Sequence, residues 1–188
     1  VYGLESAPWD ESAPVDDFVF TGPAPKRMTA EQFVDSLAAV AGVSPEKTEM
    51  DDVFVEPLKS IDGAGGRPFV RSSLVQSTPL MRTLGRPNRE QVVTTRPGEV
   101  TTLEALELSN GEPLSDLLAA GGQKLATNFG DLSAEDLCRT LVRSALSREP
   151  TAEELQLLTE TAGQPLTPAG LSDVLWCIVM LPEFQLIK

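Results

Sequence analysis

Histidine is absent from this chain of 188 residues, and its absence excludes more chemistry than any other feature. Neither a Ser-His-Asp nor a Cys-His arrangement can be assembled from the chain alone. The commonest transition-metal ligand is missing with it, and no Cys-x-x-Cys-His haem attachment sequence exists. No cofactor is therefore expected. Aromatic residues make up only 5% of the chain, so the core has to come mostly from Leu, Val and Ala, which favours packed helices over a β-sandwich. The longest apolar run, Val174 to Leu181, is far too short to span a bilayer, so no membrane span is expected. Basic charge is scarce as well. A net charge of −13 argues against nucleic acid as the main partner, because phosphates need a broad basic face. No signal peptide is visible, yet Val1 is no natural start, so the chain reads as a fragment or processed product of a larger protein.

What basic charge there is collects in one place. Between Arg67 and Arg96 stand six arginines (Arg67, Arg71, Arg82, Arg86, Arg89, Arg96), no lysine, and one carboxylate, Glu90. Guanidinium groups need partners, and those are either the protein's own carboxylates and helix ends or an anionic ligand. The rest of the composition is ordinary for a globular fold, with 41% hydrophobic residues and a length sufficient for one domain with a real core.

Along the chain, residues 1–25 read as an extended acidic arm broken by proline, with Phe18-Val19-Phe20 as a short docking strand. Residues 26–188 read as a single helical domain. Thr29 and Gln32 form a capping box for a helix with Phe33, Val34, Leu37 and Val40 at helical spacing, Met28 and Phe33 as its hydrophobic staple, and Gly42 at its end. Residues 43–70 hold Pro45, Pro57, Gly63, Gly65, Gly66 and Pro68 and form a long irregular connection, with Val53-Phe54-Val55 at most a short strand. Thr78-Pro79 opens one or two turns that stop at Gly85, and Gln91 to Thr95 has extended character. From Thr101 the chain is almost all helix. Thr101 with Glu104 makes a second capping box ahead of Leu103, Leu106 and Leu108, and Asn110-Gly111 closes that segment. Pro113 opens a helix with Leu114, Leu117, Leu118, Leu125 and Phe129 on one face, interrupted by Gly121-Gly122, which marks a kink or a close crossing. Helices capped by Ser133, Thr151 and Thr167 follow, and their short loops imply an up-down-up bundle over about 131–188. The expected fold is mainly α: an irregular arginine-rich N-terminal half packed on a helical bundle, with at most a few short strands.

Several of these stretches carry a family resemblance. Phe18 to Pro23 followed by Lys26-Arg27-Met28-Thr29-Ala30-Glu31-Gln32-Phe33-Val34-Asp35 looks like a helix-opening motif, and Met81 to Glu90 like an arginine-rich signature. Thr102 to Leu106 with Leu108-Ser109-Asn110-Gly111, then Leu146 to Thr151 and Pro182-Glu183-Phe184, follow in the same order. Together they resemble the C-terminal planctomycete domain of unknown function found in large secreted proteins that often carry a cytochrome-c-like module. The resemblance runs from about Phe18 to Lys188. It implies a largely helical fold, an extracytoplasmic setting and upstream domains of the same polypeptide as partners, and it supplies no catalytic residues. The family's closing motif often has a histidine after Glu-Phe, and this chain has none.

Among individual residues, Arg82, Arg86 and Arg89, with Arg71, are the candidate anion-binding set, near a short helix end where they can converge on carboxylate, sulfate or phosphate. The competing reading is that each guanidinium holds internal carbonyls and carboxylates. Cys138 and Cys177 lie on apolar faces of the first and third closing helices. An oxidising compartment suggests a disulfide, but parallel helices offset the two by about 6 Å along the axis, and two buried thiols are the better expectation. The acidic groups Asp10-Glu11, Asp16-Asp17 and Glu49 with Asp51-Asp52 lack calcium-loop spacing and read as solvated surface. Ser44-Pro45-Glu46-Lys47 and Gly63-Ala64-Gly65-Gly66 lack the companion residues of an acyl-transfer or phosphate-loop motif. Trp176 is expected in the core and Trp9 in an exposed contact. The leading functional expectation is a non-catalytic helical module of a large exported protein, serving assembly or partner binding. The alternatives are binding of anions or acidic and sulfated glycans through the arginines, and part of an enzyme completed by upstream domains.

Overall fold

The computed structural model describes residues 26–43, 71–74, 76–87 and 100–187. The acidic arm, the strands proposed at 18–20, 53–55 and 91–95, Trp9, the acidic groups before residue 53, the motifs at 44–47 and 63–66, and Arg89 lie outside the described residues. Within them the protein is mainly helical, with one very small sheet.

The described chain begins and ends together. Strand β1 (Lys26–Arg27) pairs antiparallel with β2 (Leu186–Ile187), Lys26 opposite Ile187 and Arg27 opposite Leu186. The N–H of Met28 extends this ladder by donating to the Gln185 carbonyl at 2.8 Å. Helix α1 (Ala30–Ala41) follows with its reciprocal capping box: the Gln32 N–H donates to Thr29 Oγ1, and the Thr29 N–H donates to Gln32 Oε1. Its inward face buries Ala30, Phe33, Val34, Leu37, Ala38 and Ala41, and Gly42 closes it in the left-handed region at φ 64°. A 3₁₀ turn (Ser72–Leu74) and the short helix α2 (Pro79–Thr83) sit against α1. Thr78 caps α2 through its Oγ1, which accepts from the Met81 N–H.

Helices α3 (Thr102–Asn110) and α4 (Glu112–Phe129) are separated by Gly111 alone. Then come α5 (Ala134–Leu146), α6 (Ala152–Ala162), α7 (Pro168–Met180) and the single turn α8 (Pro182–Gln185). The core gathers around α7, whose Leu171, Val174, Leu175, Ile178 and Val179 are fully buried. α6 packs on both α5 and α7, but the most extensive partner of α7 is α4. Gly121 and Gly122 make that crossing possible. A Cβ at Gly121 would lie 2.7 Å from the Ala41 Cβ and 2.8 Å from Leu175 Cδ1. At Gly122 it would run into the Pro168 carbonyl and the Ser172 backbone. α4 continues through both positions as one helix, so the glycine pair marks a close crossing and not a kink.

Two apolar expectations are corrected. Trp176 is 40% exposed, because the buried stripe of α7 (171, 174, 175, 178, 179) leaves position 176 at its edge; its indole N–H reaches the Leu108 carbonyl at 3.4 Å. Phe129, the last residue of α4, is 44% exposed while Leu114, Leu118 and Leu125 of the same face are buried. On α3, Leu103 and Leu106 are 62% and 60% exposed, and the residues the helix buries are Glu104 and Leu108.

Candidate functional site

The orientation of α3 follows from one charge pair. Thr101 caps the helix by accepting from the Glu104 N–H, as the sequence predicts. The Glu104 carboxylate does not turn back to the Thr101 N–H. It reaches inward instead, where both oxygens accept from the fork of Arg27: Nη1 donates to Oε2 at 2.9 Å and Nη2 to Oε1. Glu104 is only 4% exposed, and a carboxylate that buried is tolerated because a planar guanidinium satisfies it bidentately. Positions 104 and 108 share one face, and 103 and 106 fall on the other. Holding Glu104 inside therefore holds the two leucines outside. Sequence reasoning missed this pair. A carboxylate three residues after a threonine cap fits a capping box equally well, and nothing local announces a partner far back in the chain.

Arg27 and Glu104 also line a cleft with Met28, Ala30, Phe33, Leu84, Leu108 and Gln185. Its free volume of about 10 Å³ has room for no more than about one water, which is too little for an organic ligand.

The arginine island divides in two. Arg86 faces inward: Nη1 donates to the Ser72 carbonyl at 2.7 Å and lies 3.0 Å from Met81 Sδ, Nη2 donates to the Ser73 carbonyl at 3.3 Å, and Nε stands 3.5 Å from Glu31 Oε1. It thereby ties the 3₁₀ turn to α1 and α2, and it makes the internal contacts of the competing reading. The same turn is held from its other side by Asp35, whose Oδ1 accepts from the Ser72 N–H at 2.8 Å. Ser72 itself is fully buried, with no hydrogen-bond partner for its Oγ among the described residues. Arg71 and Arg82 are exposed, and neither has a carboxylate partner among the described residues.

A second charged cluster lies where α5, α6 and α8 meet. Arg148 donates through Nε to Glu183 at 2.7 Å and through Nη1 and Nη2 to the two oxygens of Glu154. Glu154 also closes the capping box of α6 by accepting from the Thr151 N–H. These bonds, Arg148 first and then the Thr151 N–H, hold the Glu154 carboxyl down at about 2; the hydrogen bonds that the guanidinium donates to Glu154 and then to Glu183 raise it above its ordinary value. Nearby, Arg139 pairs with Glu135 and Glu149, and Arg143 pairs with Glu149.

Both cysteines are free thiols. Cys138 is fully buried, and burial pushes its thiol up to about 11. Cys177 is half-buried and raised first by burial and then by the charge of Asp173. Neither is therefore a thiolate nucleophile near neutrality. Among the described residues no group of Cys, Asp and Glu is placed to hold a metal ion, and no helix is long and apolar enough to cross a membrane.

No curated protein and no solved structure matches the chain. One family model does, over residues 1–162, under the description PSD1, protein of unknown function (DUF1553). The match takes in the arginine island and α1 to α6; α7, α8, β2 and with them Pro182-Glu183-Phe184 fall beyond it. The structure is mainly helical, the family has no assigned activity, and the chain belongs to the DUF1553 (PSD1) family of proteins of unknown function.

Proposed function

We propose that this chain is a non-catalytic helical module of a larger exported protein and acts by holding a partner, with another domain of the same polypeptide as that partner. The observation that carries the reading is the inverted polarity of α3, with Glu104 inside and Leu103 and Leu106 outside. Exposed leucines occurring singly on a surface need no explanation. Here two of them share one helix face, while the opposite face spends a buried bidentate ion pair to keep the helix that way round. A helix free to choose would turn the leucines in and the carboxylate out. The extracytoplasmic setting is supported by the sequence resemblance.

Hydrogen exchange compares the isolated 188-residue chain with the full-length polypeptide. The expected result is that residues 102–110 exchange slowly only in the full-length protein, and that Leu106→Glu removes this protection while leaving the melting temperature of the isolated chain unchanged. Equal exchange in both contexts defeats the proposal. So does a Leu106→Glu variant of the isolated chain that melts markedly earlier, because the leucine would then belong to this fold's own core.

A further inference from the structure

We propose that the segment covering α3 is a basic amphipathic helix, with apolar side chains over Leu103 and Leu106 and a cation at the C-terminal end of α3. The inference rests on the docking reading of that helix and adds the chemistry of its partner.

The outer face of α3 carries no charge. Its exposed residues are Thr102, Leu103, Ala105, Leu106, Ser109 and Asn110. Burial of Glu104 and Leu108 fixes which way this face points. Leu103 and Leu106 stand about 4.5 Å apart along the axis, so one helix laid over α3 meets both.

Charge begins where that face ends. Glu107 lies in the last turn of α3, where the helix dipole disfavours a carboxylate and no basic residue stands. Its side chain folds over Gly111, since a Cβ there would lie 2.6 Å from the Glu107 Cδ and Oε1. The next residue, Glu112, is exposed. Neither carboxylate has an ion pair among the described residues. The first turn of α4 compensates Glu112, but Glu107 has no such support. Elsewhere the fold supplies the cation: Glu104, Glu135, Glu149, Glu154 and Glu183 each meet an arginine. Residues 100–123 contain neither Lys nor Arg. A second copy pairing symmetrically through α3 therefore brings no cation to this corner either. A basic partner helix does, and the charge fixes the direction in which it lies along the leucines.

The test uses the intact chain with Trp9→Phe at about 150 mM salt, where charges more than about 8 Å apart are screened. Trp176 then reports alone, half-exposed, with its N–H on the Leu108 carbonyl in the last turn of α3. Two amphipathic peptides of about five helical turns are titrated, with the same leucine stripe, flanked by arginine in one and by glutamate in the other. The arginine peptide is expected to bind saturably with a shift in Trp176 emission, about tenfold or more tighter than the glutamate peptide. Glu107→Lys should weaken it about tenfold, whereas Glu160→Lys, an equal change of charge on α6, should leave it unchanged. Leu106→Glu should abolish it. No binding of the arginine peptide overturns the proposal, as does equal loss in the two lysine variants, which would report net charge alone. Equal affinity for both peptides, lost in Leu106→Glu, keeps α3 as a docking helix and overturns its basic partner. A dimer in sedimentation that Leu106→Glu dissociates would make the occupant a second copy and overturn it as well. Hydrogen exchange in the full-length polypeptide decides the docking reading separately.

Discussion

At the scale of single residues, ionisable side chains here act mainly as fasteners between elements. Glu154 shows this with a consequence for pH. Its carboxyl is held at about 2, against an ordinary value near 4.5, by Arg148 and the Thr151 N–H. The folded state prefers the ionised form. The stabilisation is therefore fully present above about pH 4.5 and is lost as pH falls through about 2. Glu154→Gln isolates the ionic part, because glutamine at the same capping position still accepts the backbone N–H, as Gln32 does for Thr29. The Glu154 side chain is 30% exposed, so solvent screening limits the expected loss at pH 7 to about 1 kcal/mol. Urea titrations at pH 7 and again near pH 2 check this. The gap between the two proteins should shrink toward zero in acid, and a gap independent of pH would mean that Arg148 and Glu154 contribute only through packing.

At the scale of elements, the crossing of α4 on α7 yields the sharpest expectation. Gly122→Ala in an open helix would stabilise by about 1 kcal/mol through backbone propensity. Here the new methyl meets the Pro168 carbonyl and lies 2.8 Å from the Ser172 nitrogen, neither of which can yield without moving α7. Overpacking should outweigh the propensity gain, leaving a net loss of about 2 kcal/mol in chemical denaturation. A stabilised variant would falsify the close crossing. Element identity was largely legible in the sequence, because caps and breakers are local. Thr29, Thr78, Ser133, Thr151 and Thr167 cap as read, Thr101 caps without the reciprocal bond expected from Glu104, and Gly42 and Gly111 stand at the ends expected of them. What could not be read was which way α3 faces. Leucines at 103, 106 and 108 satisfy a helical period, but the Arg27–Glu104 pair decides the orientation, and a long-range pair leaves no local trace. The candidate site divides on the same principle. Arginine enrichment marked the segment, but only packing separates Arg86, with acceptors supplied by its own fold, from Arg71 and Arg82.

At the scale of the whole molecule, the folding unit is longer than the family match. That match ends at residue 162, at the last residue of α6. Beyond it lie five fully buried aliphatic residues of α7, the Phe184 ring packed edge-on against Phe33 at 5.8 Å, and the strand that pairs with β1. At roughly 1.5–3 kcal/mol for each large side chain removed from water, α7 and Phe184 together contribute on the order of 10 kcal/mol, comparable with the entire stability of an ordinary domain. Cutting after Ala162 should therefore abolish folding and not merely weaken it. The missing segment leaves Gly122 facing nothing and Gly121 against Ala41 alone, strips the inner side of α4, and opens the β1–β2 clasp. The truncated chain is expected to show no cooperative urea transition and to bind a hydrophobic dye. A separate peptide of residues 163–188 should restore both the transition and protection of the α4 amides at stoichiometric addition. A cooperative transition in the truncated chain alone would instead mean that α1 to α6 already form a closed core, with α7 packed onto it as an accessory.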